Sequence, residues 1–147
     1  MKNTVEISLS SIHRGSCREV VTLEIEGKDR ADEYLKKLKK KDLKAYRSII
    51  TRIKTVAEYE TYENDQTFRP VGEGVFEFKR NNPKLIRLYA FYDDIDGIGQ
   101  LILCTNGGGK GQLQQSEDIQ KAKDIKKKYI EAKKKPNAIL NYNQPEQ

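Results

Sequence analysis

Arg87 is the residue whose setting most demands a chemical role. It stands inside Leu85-Ile86-Arg87-Leu88-Tyr89, an otherwise apolar run. A guanidinium there needs a partner or a purpose, because burying an unpaired charge is costly. Two readings are open. It pairs with Glu77 of the preceding run, or extends to solvent. Or it clamps a phosphate, since guanidinium stays charged and binds phosphate through two parallel hydrogen bonds. More cations lie close in sequence: Lys79 and Arg80 end the run Phe76-Glu77-Phe78-Lys79-Arg80, and Lys84 precedes Leu85. Asn106-Gly107-Gly108-Gly109-Lys110-Gly111 is a glycine-rich stretch whose backbone N–H groups could cradle an anion. It lacks the Gly-Lys-Ser/Thr ending and the parallel context of a P-loop. It reads either as a connector or as a contact to a nucleic acid phosphate. One histidine, His13, and two distant cysteines, Cys17 and Cys104, do not make a zinc site of the usual spacing. A histidine-dependent triad would have to use His13. No metal and no cofactor is expected.

These residues need a scaffold, and the hydrophobic periodicity supplies one. Val5–Leu9 and Val21–Ile25 alternate apolar and polar residues, which predicts two half-buried strands, with a turn at His13–Ser16. Residues 1–27 thus read as a β-hairpin. Asp29 caps a helix to about Lys40 with Ala31, Tyr34, Leu35 and Leu38 on one face. Asp42 caps a second, to Ala57, with the stripe Leu43, Tyr46, Ile49, Ile50, Ile53 and Val56. The short junction predicts an antiparallel helical hairpin. Glu58–Gly74 reads as a loop. Val75–Lys79, Leu85–Tyr92 and Gln100–Thr105 read as an antiparallel meander. After the glycine stretch, Ser116 caps a third helix with the stripe Ile119, Ala122, Ile125, Tyr129 and Ala132, stopped by Pro136. The expected fold is α+β: a helical hairpin packed on an antiparallel sheet, with a C-terminal helix. One domain spans 1–135, and 136–147, rich in Asn, Gln and Pro, reads as a mobile tail.

Composition bounds the function. The chain has 147 residues, 34% of them charged, and a net charge of +6. No apolar run reaches the ~18 residues of a membrane span, and no signal-peptide core follows Met1, so a cytoplasmic protein with reduced cysteines is expected. The excess charge is uneven. Residues 28–57 carry eleven basic and four acidic side chains, and 101–135 carry nine and four, whereas 58–100 carry five and nine. Two basic blocks around an acidic middle suggest a polyanion partner, or lysine-rich helix faces that are simply solvated.

The order helix, helix, three-strand meander, helix, together with Gly74–Arg80, Arg87–Tyr89 and Glu117–Ala122, resembles the RelE/HigB toxin superfamily, in particular its phage-derived HigB-like branch. The resemblance covers about residues 20–135. It implies a RelE-like fold and a toxin of a type II toxin–antitoxin system. The implied reaction is metal-independent cleavage of mRNA, usually at the ribosome, by attack of the 2′-OH on the adjacent phosphate. A cognate antitoxin, mRNA and the ribosome are the implied partners. By position, Arg87, Lys110 and Lys79 would be catalytic, and Arg80, Lys84 and Tyr129 would bind RNA. The chain departs from the family in three places. A loop lysine is missing or displaced, no histidine lies in the second half, and Arg80 sits one place off, which in a strand changes its face. The alternative is a non-catalytic RNA- or antitoxin-binding module of the same fold.

Overall fold

A computed structural model describes residues 4–59, 68–80, 85–109 and 112–143. In chain order these form β1 (Val5–Arg14), β2 (Glu19–Ile25), α1 (Arg30–Lys41), α2 (Leu43–Glu58), β3 (Phe68–Gly72), β4 (Val75–Arg80), β5 (Ile86–Ile95), β6 (Gly99–Gly108), α3 (Gln112–Lys133) and β7 (Ala138–Asn143). The strands make one sheet in the order β3-β4-β5-β6-β2-β1-β7. The class is α+β, as expected, but the sheet is larger than expected and mixed. The pairs β2–β6 and β1–β7 are parallel.

Three layers result. Ala31, Leu35, Leu38, Ala45, Ile49, Ile53 and Val56 of the helical hairpin pack on Val20, Phe78, Leu88, Ala90, Ile102 and Cys104. On the other face Ile125, Tyr129 and Ala132 of α3 meet Ile7, Leu9, Val21, Leu23, Phe91, Leu101 and Leu103. Cover on both faces explains why β5 and β6 read as continuous apolar runs rather than alternating ones. Both helix caps fall where the sequence places them. Asp29 accepts the Asp32 N–H at 2.9 Å, and Asp42 accepts the Ala45 N–H at 3.0 Å.

The end of α2 has no glycine cap. The turn between β1 and β2 does the work instead. Cys17 and Arg18 donate backbone N–H bonds to the Ala57 carbonyl, and the Arg18 guanidinium donates to the carbonyls of Val56 and Tyr59. Orphaned helix-end acceptors are thus satisfied from another element. The turn approaches so closely that a Cβ at Gly15 would lie under 3.0 Å from the Ala57 carbonyl.

Four expectations are corrected. Part of the stretch read as a loop is β3, an edge strand, which is where Pro70 is tolerated because it cannot donate to a ladder. Gly107 and Gly108 belong to β6 rather than to a loop. The third helix begins at Gln112, ahead of Ser116. Residues 138–143, expected in a mobile tail, form β7. Tyr142 anchors that strand, donating to both carboxylate oxygens of buried Glu19 at 2.6 and 2.7 Å. Among the described residues no helix is long and apolar enough to cross a membrane.

Candidate functional site

Arg87 lies on the face of β5 that α3 covers, with Tyr89 and Phe91, while Ile86, Leu88 and Ala90 face the hairpin. Directly across on β4 is Lys79, and two residues along is Glu77 opposite Tyr89. The Glu77 carboxylate is fully buried and sits between two guanidiniums. Arg69 Nε lies 2.7 Å from one oxygen and Arg87 Nε 3.4 Å from the other. Arg87 Nη1 also donates to the Gly109 carbonyl at 3.2 Å. The structure therefore realises the pairing of Arg87 with Glu77. Close by, the Tyr89 hydroxyl is buried with no hydrogen-bond partner. Burial, then the Glu77 charge, push its ionisation up. Arg87 Nε and the Glu77 oxygen facing it make no hydrogen bond, so their pairing is an ion contact, and the Arg69 end of the cluster is partly open to solvent.

The other site expectations distribute as follows. Lys79 joins Arg87 on one face and is half-buried. Arg80 is on the opposite face with Phe78, as the one-place shift implies, and is buried. Tyr129 is fully buried away from Arg87, its hydroxyl donating to Asp93 at 2.5 Å beside Lys133. It stacks at a tilt on Phe91 and has a core role, with no surface for RNA. Lys84 and Lys110 lie outside the described residues. Among the described residues no group of three His, Cys, Asp or Glu side chains is placed to hold a metal ion.

A second constellation forms where β2 and β6 part. Their pairing ends at Thr22 opposite Cys104, and the next residues of β6 carry a bulge against β5, between Tyr89 and Ala90. A bulge bends a strand and re-aims its side chains. Asn106 thereby reaches α3 and donates to the Asp118 carbonyl at 3.0 Å. From the other face Tyr34 of α1 reaches round and donates to the Gly108 carbonyl at 3.2 Å. Its ring lies against Gly107, where a Cβ would collide with it. Burial raises the Tyr34 phenol to about 12, with the Asp118 charge adding to the effect. Between the two helices is a groove of about 460 Å³ lined by Arg30, Tyr34, Lys37, Asn106 and Lys121, with Glu33 as its acid. Arg30, Tyr34 and Lys37 fall at three-and-four spacing on one face of α1. Among the described residues Arg30, Lys37 and Lys121 have no acidic partner, and all three are exposed.

Sequence reasoning missed this groove. Tyr34 reads as part of the core stripe of α1, and the lysines as a solvated face. The signal was Gly107, a residue with no side chain opposite an aromatic one, and it cannot be located without knowing the pairing. Comparison with family models, with curated proteins and with solved structures gave no match to the chain.

Proposed function

We propose that this chain is an RNA-binding module that does not cut its ligand, built on a plan resembling the RelE/HigB toxins. The observation that carries the proposal is the groove between α1 and α3. Three exposed cations, with no ion-pair partner among the described residues, flank a half-buried tyrosine ring at one end of the sheet. Single strands are held in this way: phosphates along a cationic track, a base on an aromatic face. Arg30, Lys37 and Lys121 take phosphates, Tyr34 takes a base, and Asn106 offers amide hydrogen bonds. Arg87 is what supports the non-cutting reading: it is 8% exposed, with its Nε 3.4 Å from the buried Glu77 carboxylate rather than open to a phosphate.

The test is binding of a short single-stranded RNA across a salt series. Each phosphate contact contributes about 0.7 to the slope of log affinity against log salt for single strands. Changing Arg30, Lys37 and Lys121 together to Gln should lower that slope by about two. An unchanged slope and affinity would sink the proposal.

A second reading is the ribosome-dependent mRNA endonuclease with a cognate antitoxin. It is favoured by Lys79 standing opposite Arg87, and by the contact of Arg87 with Gly109, the residue before Lys110. It requires Arg87 to leave Glu77. Induced expression in a bacterial host decides between the two. Growth arrest by wild type with new mRNA 5′ ends, both lost in Arg87→Lys that still melts cooperatively, would support the endonuclease and refute the non-cutting proposal.

A further inference from the structure

The opposite face of the sheet holds a pair of arginines that the groove and the Glu77 cluster leave unused. Arg80 ends β4 and points towards α2, with Phe78. It is 8% exposed, and its Nη1 is buried with no hydrogen-bond partner. Arg52 comes from α2, one turn after Ser48. Its Nη1 donates to the Ser48 hydroxyl at 3.0 Å, while its Nε is buried and unpartnered. Among the described residues no carboxylate lies in ion-pair distance of either guanidinium. The two act on each other as like charges, and the Arg52 guanidinium is held below its ordinary value by burial and then by Arg80. A mostly buried cation is normally paired. Here the buried Arg80 and the half-buried Arg52 have no counter-charge among the described residues, and Arg52 lies next to a hydroxyl that can donate as well as accept.

We infer that Arg52, Arg80 and Ser48 form a binding site for a phosphate group between α2 and β4. Two guanidiniums present several N–H donors to a dianion, and the Ser48 hydroxyl adds one more. The phosphate could belong to a free phosphate or phosphomonoester, or to a nucleic acid backbone. The site is on the other face from Arg87 and shares no residue with the groove, so it stands or falls independently of the RNA proposal.

The experiment is thermal unfolding of the full chain with sodium chloride exchanged for sodium phosphate at constant ionic strength. Wild type should gain Tm saturably with phosphate, and Arg52→Gln and Arg80→Gln should each lose that gain. In chloride alone Arg52→Gln should melt at or above wild type, because one of two repelling charges is gone. That arm reports on the site even if Arg80→Gln fails to fold. Lys54→Gln, on the same helix and exposed, should keep the full phosphate response. A second arm adds a short RNA. Protection by RNA that Arg52→Gln removes assigns the phosphate to a backbone, and protection by inorganic phosphate alone assigns it to a free ligand. No phosphate response in wild type, or an undiminished response in Arg52→Gln, would overturn the inference.

Discussion

Glu77→Gln is the most telling single change, because it keeps the shape of the side chain and deletes its charge. Glu77 is fully buried and takes Arg69 at 2.7 Å and Arg87 at 3.4 Å. The two arginines are not equivalent. The Arg69 side chain is 34% exposed and can turn into water, whereas that of Arg87 is 10% exposed and cannot. Loss of the carboxylate therefore strands Arg87 as an uncompensated charge. Breaking a buried pair from one side costs about 3–5 kcal/mol. At about 2–4 °C per kcal/mol for a chain of this size, Tm should fall by roughly 6–20 °C. Arg69→Met takes the 2.7 Å hydrogen bond from the buried carboxylate but leaves the Arg87 contact, and should cost about 1–3 kcal/mol, less than Glu77→Gln. Glu77→Leu combined with Arg87→Met removes both charges and should recover most of the loss, since apolar replacement of a buried pair is often near neutral. Urea unfolding with a common slope measures all three. If Glu77→Gln cost under about 1 kcal/mol, or the Glu77→Leu, Arg87→Met double variant recovered none of the loss, Glu77 would not be what holds Arg87. The reason for excluding Arg87 from chemistry would then be gone.

Gly15→Ala should destabilise by about 2–3 kcal/mol in the same assay, because the added methyl meets the Ala57 backbone rather than a movable side chain. Cys104 is fully buried and its thiol is pushed up by burial, so a thiol reagent should label Cys17 in the folded protein and Cys104 only on unfolding. Equal labelling rates would contradict the packing. The Glu58 carboxyl is held below its ordinary value chiefly by the hydrogen bond with His13, then by Ser16. A depressed acid contributes stability above its unfolded value of 4.5, and loses it as pH falls through the folded value. His13→Ala should therefore flatten the loss of stability below about pH 5, read from urea midpoints between pH 3 and 7.

Local signals in the chain were sufficient for much of the fold. Asp29 and Asp42 stand just ahead of amphipathic periods, and a capping side chain acts within three residues of itself. The meander was legible for the same reason, as β4, β5 and β6 are joined by short connections. β3 and β7 were hidden because an edge strand need not be apolar. Phe68 and Tyr142 are what hold them, and each depends on partners far away in sequence. The site divided in the same way. Arg87 was recognisable from its apolar surroundings, and Glu77 was recognisable as a possible mate. That Glu77 also takes Arg69 follows from β3, which was read as a loop.

The sequence by itself determined an α+β chain with a capped helical hairpin, a three-strand meander, a long basic helix and one arginine in a strand that needed explaining. Tertiary structure decided what the charges do. Charge blocks are properties of segments, whereas a binding surface is a property of neighbours. Arg30 and Lys37 meet Lys121 only because α1 and α3 reach one strand end from opposite faces. Arg80 and Arg87 part company because they occupy opposite faces of the sheet. One arginine is neutralised by a buried carboxylate, and the other is left facing Arg52 with no counter-charge among the described residues. Pairing register and layer order set those distances, and no local pattern of residue types encodes them.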